Sequence, residues 1–150
     1  MRIAVSCDHG GYPLKGEILA VIEAGGHQVN DFGTFSDEAV DYPDFVAVAA
    51  QAVASGEAER AIVICGSGVG ACITANKFRG VFACVCHDTY SAHQGVEHDD
   101  MNVLCLGARI VGPELAKEIV QAFLEAQFSG IDRHVRRVGK IRAIEDRNFL

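Results

Sequence analysis

The sequence predicts an α/β fold, a three-layer sandwich in which helices cover both faces of a five-stranded, parallel, Rossmann-like sheet. Short apolar runs alternate along the chain with longer segments whose apolar residues recur at helical spacing. The short runs are apolar at successive positions, which is typical of strands buried on both faces. Strand–helix alternation of this kind gives parallel strands joined by right-handed crossovers. Since domains commonly contain about 100–150 residues, we expect one domain spanning residues 1–150.

The first half of the chain accounts for three strands and two helices. The first helix begins at Pro13, because proline suits the first helical turn, and ends at Gly25 and Gly26. The second helix begins at Asp41-Tyr42-Pro43 and ends near Gly56. The three runs that predict strands are Ile3–Val5, His27–Phe32 and Ala61–Cys65.

The second half accounts for two strands, Val81–Val85 and Val103–Leu106, and four helices. The helix that begins at Pro113 has a broad apolar face, whereas the last helix is polar except for a narrow apolar stripe. The stripe consists of Val135, Val138, Ile141 and Ile144. The other three helices are predicted at Val69–Lys77, Asp88–Glu97 and Asp132–Arg147, the last of these being the polar one.

Charge and hydropathy exclude two classes of partner. Lys and Arg number 13 and Asp and Glu number 20, so the net charge is −7. Nucleic acid and anionic membranes bind basic faces, so neither is expected as a partner. No apolar run approaches the about 20 residues of a membrane span. Polar residues follow the first strand at Cys7-Asp8-His9, where a signal peptide would continue its apolar core. We therefore expect a cytoplasmic protein.

The six cysteines are expected to be reduced thiols, since no two form a C-x-x-C pair and no secretion signal is visible. A cysteine in an apolar run is most often a small buried side chain. This is the expectation for every cysteine except Cys65. The six are Cys7, Cys65, Cys72, Cys84, Cys86 and Cys105.

The segment Cys65–Ala71 joins the third strand to a helix and has glycine at three alternate positions. Backbone N–H groups in such a loop can converge on an anion, and the helix N-terminus favours negative charge there. One interpretation is a tight turn that uses glycine for packing. A second is a dinucleotide-binding fingerprint, because the segment fits G-x-G-x-x-A and Asp88 lies about 20 residues further on. That fingerprint usually follows the first strand of its unit, and this chain has no room for a second, substrate-binding domain.

A third interpretation assigns the loop to the thiol of Cys65. A thiol at the end of a strand, facing a glycine loop and a helix N-terminus, experiences positive potential that favours the thiolate. Ser67 could add a hydrogen bond to the sulfur. The thiolate would then serve as a base or nucleophile, with backbone donors beside it to stabilise an oxyanion.

Two further patterns involve charged and metal-binding side chains. Arg133 and Arg137 lie four residues apart and therefore on one face of the last helix. Such a pair can clamp a phosphate or can simply belong to a solvated basic face. His87, Asp88 and His93 do not form a recognisable ligand pattern, so no metal is expected.

Several motifs, taken in order, resemble the ribose-5-phosphate isomerase B family, which includes relatives acting on allose and galactose 6-phosphates. The motifs are Cys7–Gly11, Asp41–Pro43, the Cys65 loop continuing into Ala75-Asn76-Lys77, His98, and Asn102–Arg109. The resemblance implies a five-stranded sandwich and an aldose–ketose isomerase acting through an enediolate without metal or cofactor. It also implies a small sugar phosphate as substrate. Active sites are expected at the interface of a homodimer, or of a dimer of dimers.

The resemblance also implies roles for individual residues near the thiol. Cys65 would move a proton between C1 and C2 of the sugar. Some members use a glutamate directly after the glycine loop, whereas this chain has Ala71, which is similar to the cysteine-dependent branch. Ser67 would polarise the thiol or a substrate oxygen. The enediolate would be held by the backbone N–H groups of Gly66, Ser67, Gly68, Val69 and Gly70.

The remaining implied roles concern ring opening and substrate binding. His98 would open the furanose ring, and Asp8 and His9 would contact the sugar and its phosphate. Asp8 could instead satisfy the amides of its own turn. Where the family commonly has Asn after the ring-opening histidine, this chain has Asp99, which bears on sugar preference. The arginines expected to bind substrate are Arg109 and the pair Arg133 and Arg137, and the resemblance leaves open which subunit supplies each of them.

An alternative from a different class is a noncatalytic sugar-phosphate or nucleotide-binding module with the same fold. Cys65, His98 and both arginines of the last helix occur together in this chain, which favours catalysis, because a binding module needs no base.

Overall fold

The computed structural model describes residues 1–149 and consists, within them, of five strands and six helices. The strands are all parallel, in the order β2-β1-β3-β5-β4. They are β1 (Arg2–Cys7), β2 (Gln28–Asp31), β3 (Arg60–Cys65), β4 (Ala83–Val85) and β5 (Val103–Gly107). The helices are α1 (Tyr12–Ala24), α2 (Tyr42–Ala54), α3 (Val69–Ala75), α4 (Thr89–Asp99), α5 (Pro113–Glu125) and α6 (Asp132–Asn148).

Two apolar cores lie on opposite faces of the sheet. Alternate strand residues divide between them, so that Ile62 and Leu104 belong to one core and Val63 and Cys105 to the other. Helices α1, α4 and α5 contribute to the first core, and α2 and α3 to the second. The predicted three-layer α/β sandwich with a five-stranded parallel sheet is therefore confirmed.

Strand β4 begins two residues later than predicted because its first positions are used by a turn and a side chain. The N–H of Val81 donates to the carbonyl of Phe78 at 3.1 Å. The Asn102 side-chain oxygen accepts from the N–H of Phe82 at 2.8 Å. The pairing with β5 therefore begins only at Ala83.

The apolar stripe predicted on α6 is largely exposed. Only Val138 of the four stripe residues is buried, whereas Val135, Ile141 and Ile144 are 49%, 42% and 52% exposed. Apart from Val138, the chain itself does not bury this stripe, because α6 lies against the rest of the chain through His134 and Val138.

The cysteines also differ from expectation at two positions. Cys7, Cys86 and Cys105 are buried as predicted, but Cys72 is half-buried and Cys84 is exposed on the edge strand β4.

The first two strands and the last two lie on opposite sides of β3, so the chain changes direction between β1 and β3. Ligands of such sheets bind beyond the carboxyl ends of the strands at this point. Within residues 1–149, no helix is both long and apolar enough to cross a membrane.

Candidate active site

Cys65 ends strand β3, and its sulfur faces the turn into α3. The side chain is buried, and Sγ accepts a hydrogen bond from the backbone N–H of Gly68 at 3.0 Å. Gly68 has a φ of 81°, a left-handed conformation that glycine adopts without strain. This conformation directs the N–H back to the sulfur.

The hydrogen bond that was expected between Ser67 and the thiol is absent, because Gly68 makes it instead. The Ser67 hydroxyl is exposed and accepts from the N–H of Val69 at 3.3 Å. The Ser67 hydroxyl can therefore contact a bound molecule rather than the sulfur of Cys65.

Tyr42 covers the end of the glycine loop. A Cβ atom at Gly70 would lie 2.5 Å from Cζ of Tyr42, so only glycine allows this approach of ring and backbone. Tyr42 belongs to the Asp41–Pro43 motif, but the sequence pattern assigns it no function. Its ring lies where it can limit the space above the loop, and only the tertiary contact reveals this.

Asp8 and His9 follow β1 and lie beside the Cys65 loop. The Asp8 carboxylate accepts from the N–H of Gly11 at 2.9 Å, so it does satisfy its own turn. His9 Nδ1 accepts from the N–H of Val40 at 3.2 Å. A ring nitrogen that accepts carries no proton, so neutral His9 has its proton on Nε2. His9 can therefore donate a hydrogen bond to a ligand through Nε2.

Arg109 belongs to the same group of residues in the same chain. Its backbone N–H donates to the carbonyl of Gly66 at 3.0 Å, and a Cβ atom at Gly66 would lie 3.4 Å from the guanidinium. Arg109 therefore lies beside Gly66 of its own chain. Arg109, His9 and Gly10 line a cavity of about 380 Å³ between the first turns of α1 and α5. Two helix N-termini and a guanidinium favour an anion there.

His98 and Asp99 lie near the other edge of the sheet, because α4 runs back from the carboxyl end of β4. His98 Nδ1 lies 2.9 Å from Nε2 of Gln94, an amide nitrogen that can only donate. Neutral His98 therefore has its proton on Nε2. The Glu97 carboxylate lies 3.9 Å from that nitrogen, while Asp99 is exposed and lines a groove beside β4.

Arg133 and Arg137 are exposed on α6 on either side of the buried His134. The His134 ring stacks on His98 with centroids 4.0 Å apart, and its Nδ1 lies 2.6 Å from the Ser129 hydroxyl. Burial, followed by the charges of His98, Arg133 and Arg137, lowers the pKa of His134. No sequence pattern assigns His134 a function, and none indicates its contact with His98.

The candidate residues therefore form two groups, one beyond the carboxyl ends of the strands and one beyond their amino ends. Cys65 is four residues from Ala61 along β3, and the N–H of Ala61 donates to the carbonyl of Asn102, at the start of β5. At about 3.3 Å per residue, this stretch alone separates Cys65 from the His98 edge by about 13 Å. The carboxyl-edge group contains Asp8, His9, the Cys65–Gly70 loop and Arg109. The amino-edge group contains His98, Asp99, Arg133 and Arg137.

The side chains considered for a metal have other contacts. His87 Nε2 accepts from the N–H of Gly107 at 2.9 Å. Asp88 caps α4 by accepting from the N–H of Ser91 at 2.6 Å, and this hydrogen bond lowers the pKa of Asp88. Within residues 1–149, no three His, Cys, Asp or Glu side chains come together as metal ligands.

Comparison with known proteins agrees with this architecture. A family model described as Ribose/Galactose Isomerase matches residues 3–141, and the chain therefore belongs to this family of isomerases. Ribose-5-phosphate isomerase B of Escherichia coli is 51% identical over 146 residues, covering 97% of each chain.

Solved structures in the family share the fold over almost the whole chain. Ribose-5-phosphate isomerase B of Clostridium thermocellum superposes with a TM-score of 0.94 at 51% identity, covering 98% of this chain and 99% of the other. The Mycoplasma genitalium enzyme, solved with bound ribulose-5-phosphate, has a TM-score of 0.91 at 38% identity and covers 97% and 96%.

Proposed function

We propose that this chain interconverts ribose 5-phosphate and ribulose 5-phosphate. The observation that carries the proposal is the thiol of Cys65, which ends a central strand and accepts a hydrogen bond from Gly68 N–H at 3.0 Å. The identity of 51% to an enzyme named ribose-5-phosphate isomerase B, over nearly the whole length, supports it. We also propose that residues 1–150 form one sugar-phosphate isomerase domain, acting in the cytoplasm in the pentose phosphate pathway.

The isomerisation is a proton transfer between adjacent carbons. The Cys65 thiolate removes the proton from C2 of the open-chain aldose, and the electron pair forms the C1–C2 double bond of an enediolate. The C2 hydroxyl proton then passes to the C1 oxygen, and the thiol returns its proton to C1, which gives the ketose with its carbonyl at C2. Negative charge develops on the sugar oxygens as the carbon proton leaves. Within the Gly66–Gly70 loop, the N–H groups of Gly68 and Val69 donate to the Cys65 sulfur and the Ser67 hydroxyl. The other loop N–H groups stabilise the developing charge most in the transition state, and the Ser67 hydroxyl donates to it as well.

Ring opening needs a proton donor to the ring oxygen of the furanose. His98 meets this requirement, since Gln94 donates to Nδ1 and leaves the proton on Nε2. His134 stacks on the His98 ring and holds it in place. Asp8 completes the catalytic set by fixing the turn that holds His9 beside the substrate.

The phosphate is bound by side chains of both the carboxyl-edge group and the amino-edge group. His9 and Arg109 line the cavity between α1 and α5. Arg133 and Arg137 add two guanidinium groups from α6. Asp99, exposed at the end of α4, accepts from a sugar hydroxyl.

We propose a homodimer in which each site combines the carboxyl-edge group of one chain with the amino-edge group of its partner. When the β4 strands of the two chains lie antiparallel across a two-fold axis, the carboxyl-edge group of each chain lies next to the amino-edge group of its partner. Exposed apolar side chains flank β4 and support this interface. Val69, Ile73 and Tyr90 are 53%, 59% and 75% exposed. Ile141 and Cys84 line a groove of about 370 Å³ beside the same strand.

Substitution of Cys65 tests the activity. Cys65→Ala should lower turnover of ribose 5-phosphate by about 10²–10⁴-fold or more, because the base is lost. Binding of ribose 5-phosphate, measured by calorimetry, should be retained. Cys84→Ala is the matched thiol control, since the exposed Cys84 thiol donates to the carbonyl of the neighbouring Val85 and takes no part in the proposed proton transfer. Undiminished turnover in Cys65→Ala would refute the proton-transfer role.

The wild-type protein decides between the proposed activity and a noncatalytic binding module. Formation of ribulose 5-phosphate supports the isomerase. Binding of ribose 5-phosphate without turnover supports the module, and preferential turnover of allose or galactose 6-phosphate assigns a six-carbon substrate instead.

A further inference from the structure

His87 follows the end of β4. Its side chain supplies to β5 a hydrogen-bond acceptor that the backbone of β4 no longer offers there. The pairing of β4 with β5 ends at Val85 opposite Cys105, and the N–H of Cys86 still donates to the Cys105 carbonyl at 3.3 Å. Beyond this point the chain turns towards α4. The N–H of Gly107, the last residue of β5, donates instead to Nε2 of His87 at 2.9 Å.

Gly107 forms the floor of the glycine loop. A Cβ atom at Gly107 would lie 2.6 Å from the carbonyl carbon of Ser67 and 2.7 Å from its oxygen. A Cβ atom at Gly68 would lie 3.1 Å from the carbonyl carbon of Leu106. The loop therefore rests directly on the Leu106–Gly107 peptide, and close packing transmits a displacement of this peptide to the loop.

The residues that follow Gly107 are tied to the reacting thiol and to its loop. The N–H of Ala108 donates to the carbonyl of Cys65 at 2.9 Å, and the N–H of Arg109 donates to the carbonyl of Gly66 at 3.0 Å. A rotation of Gly107 thus shifts the base, the anion-binding N–H groups and Arg109 together.

We propose that His87 is a positioning residue for the isomerisation, acting through Gly107. Its neutral imidazole accepts the Gly107 N–H and so holds the floor of the glycine loop in register with Cys65. Because Nε2 accepts, the ring proton is on Nδ1. The position therefore requires an acceptor at the distance of Nε2 rather than an imidazole as such. The inference rests on the proposed isomerase activity for its kinetic test.

Two amide side chains of different reach test this requirement. The amide oxygen of glutamine lies close to the position of Nε2, whereas that of asparagine is one carbon short. His87→Gln should keep kcat for ribose 5-phosphate within about threefold of wild type. His87→Asn should lower kcat by at least about tenfold, because a misplacement of about 1 Å at a reacting centre costs up to about 10²-fold. KM should change less than about threefold in both, since His9 and the arginines of α6 still bind the phosphate.

A second measurement tests the contact without activity. Hydrogen exchange of the Gly107 amide should be accelerated in His87→Asn and remain slow in His87→Gln, with equal Tm values for the two variants. His87→Leu replaces the acceptor with an apolar side chain. It should reproduce the loss of kcat even if His87→Asn does not fold.

Wild-type kcat in His87→Asn, or unchanged Gly107 exchange, would overturn the inference. An equal loss of kcat in His87→Gln and His87→Asn would overturn the acceptor role as well. Absence of turnover in the wild type would instead refute the proposed function, while the exchange measurement would still decide whether His87 holds Gly107.

Discussion

Mixed dimers provide the sharpest test of a site shared between two chains. Within one chain, Cys65 is separated from the His98 edge by about 13 Å of strand. If each site takes Cys65 from one chain and His98 from the other, a heterodimer of Cys65→Ala with His98→Asn has one intact site and one doubly altered site. Each parent homodimer has both sites impaired, by about 10²–10⁴-fold. The heterodimer should therefore recover about half of the wild-type turnover per dimer.

The assay needs heterodimers of known composition. The two variants are co-expressed with different affinity tags, purified on both tags in succession, and tested for conversion of ribose 5-phosphate to ribulose 5-phosphate. The matched control pairs a wild-type chain with a chain that carries both substitutions. Shared sites predict that this control is nearly inactive, because every site then lacks one of the two groups.

A site contained in one chain gives the opposite pattern. The heterodimer of single variants would then be as inactive as its parents, and the control would retain about half of the wild-type turnover. That result would refute the division of the site into two groups at opposite edges.

Three other predictions concern specificity, metals and pH. Asp99→Asn should change the ratio of kcat/KM between ribose 5-phosphate and allose 6-phosphate, since a carboxylate only accepts from hydroxyls whereas an amide also donates; a ratio that stays within about twofold, or roughly 0.4 kcal/mol, would contradict this. Treatment with EDTA should leave turnover unchanged, because backbone N–H groups stabilise the enediolate; loss of activity restored by one divalent ion would overturn the mechanism. The lowered pKa of His134 means that the unfolded chain, with a histidine value of 6.5, binds more protons than the folded chain. The free energy of unfolding should therefore fall as pH drops below 6.5, and urea titrations should show a smaller fall in His134→Phe; an identical fall in both proteins would count against it.

The carboxyl-edge half of the site could be predicted from local patterns. Cys65 ends an apolar run and precedes alternating glycines, and Asp8 and His9 follow another such run. Carboxyl ends of parallel strands meet at one edge, so the pattern alone brought these residues together. The hydrogen bond to the sulfur was assigned to Ser67, and Gly68 makes it because its φ of 81° turns the N–H inward.

The contacts that sequence reasoning missed join residues distant along the chain. Tyr42 against Gly70, His87 against Gly107 and His134 against His98 leave no periodic signal. The sequence also leaves open what covers the apolar stripe on α6, most of which is exposed in this chain. An apolar pattern predicts that a face is covered, but it does not indicate which surface covers it.

The sequence by itself determined the layers of this protein, the order of its helices and strands, and the thiol at a glycine loop, because periodicity and turn chemistry are local properties. Only the tertiary structure decided that His98 and the arginines of α6 lie at the edge opposite to Cys65. That separation depends on the direction in which α4 returns along the sheet and on where α6 packs. Both depend on contacts between side chains far apart in sequence, which a local pattern does not encode.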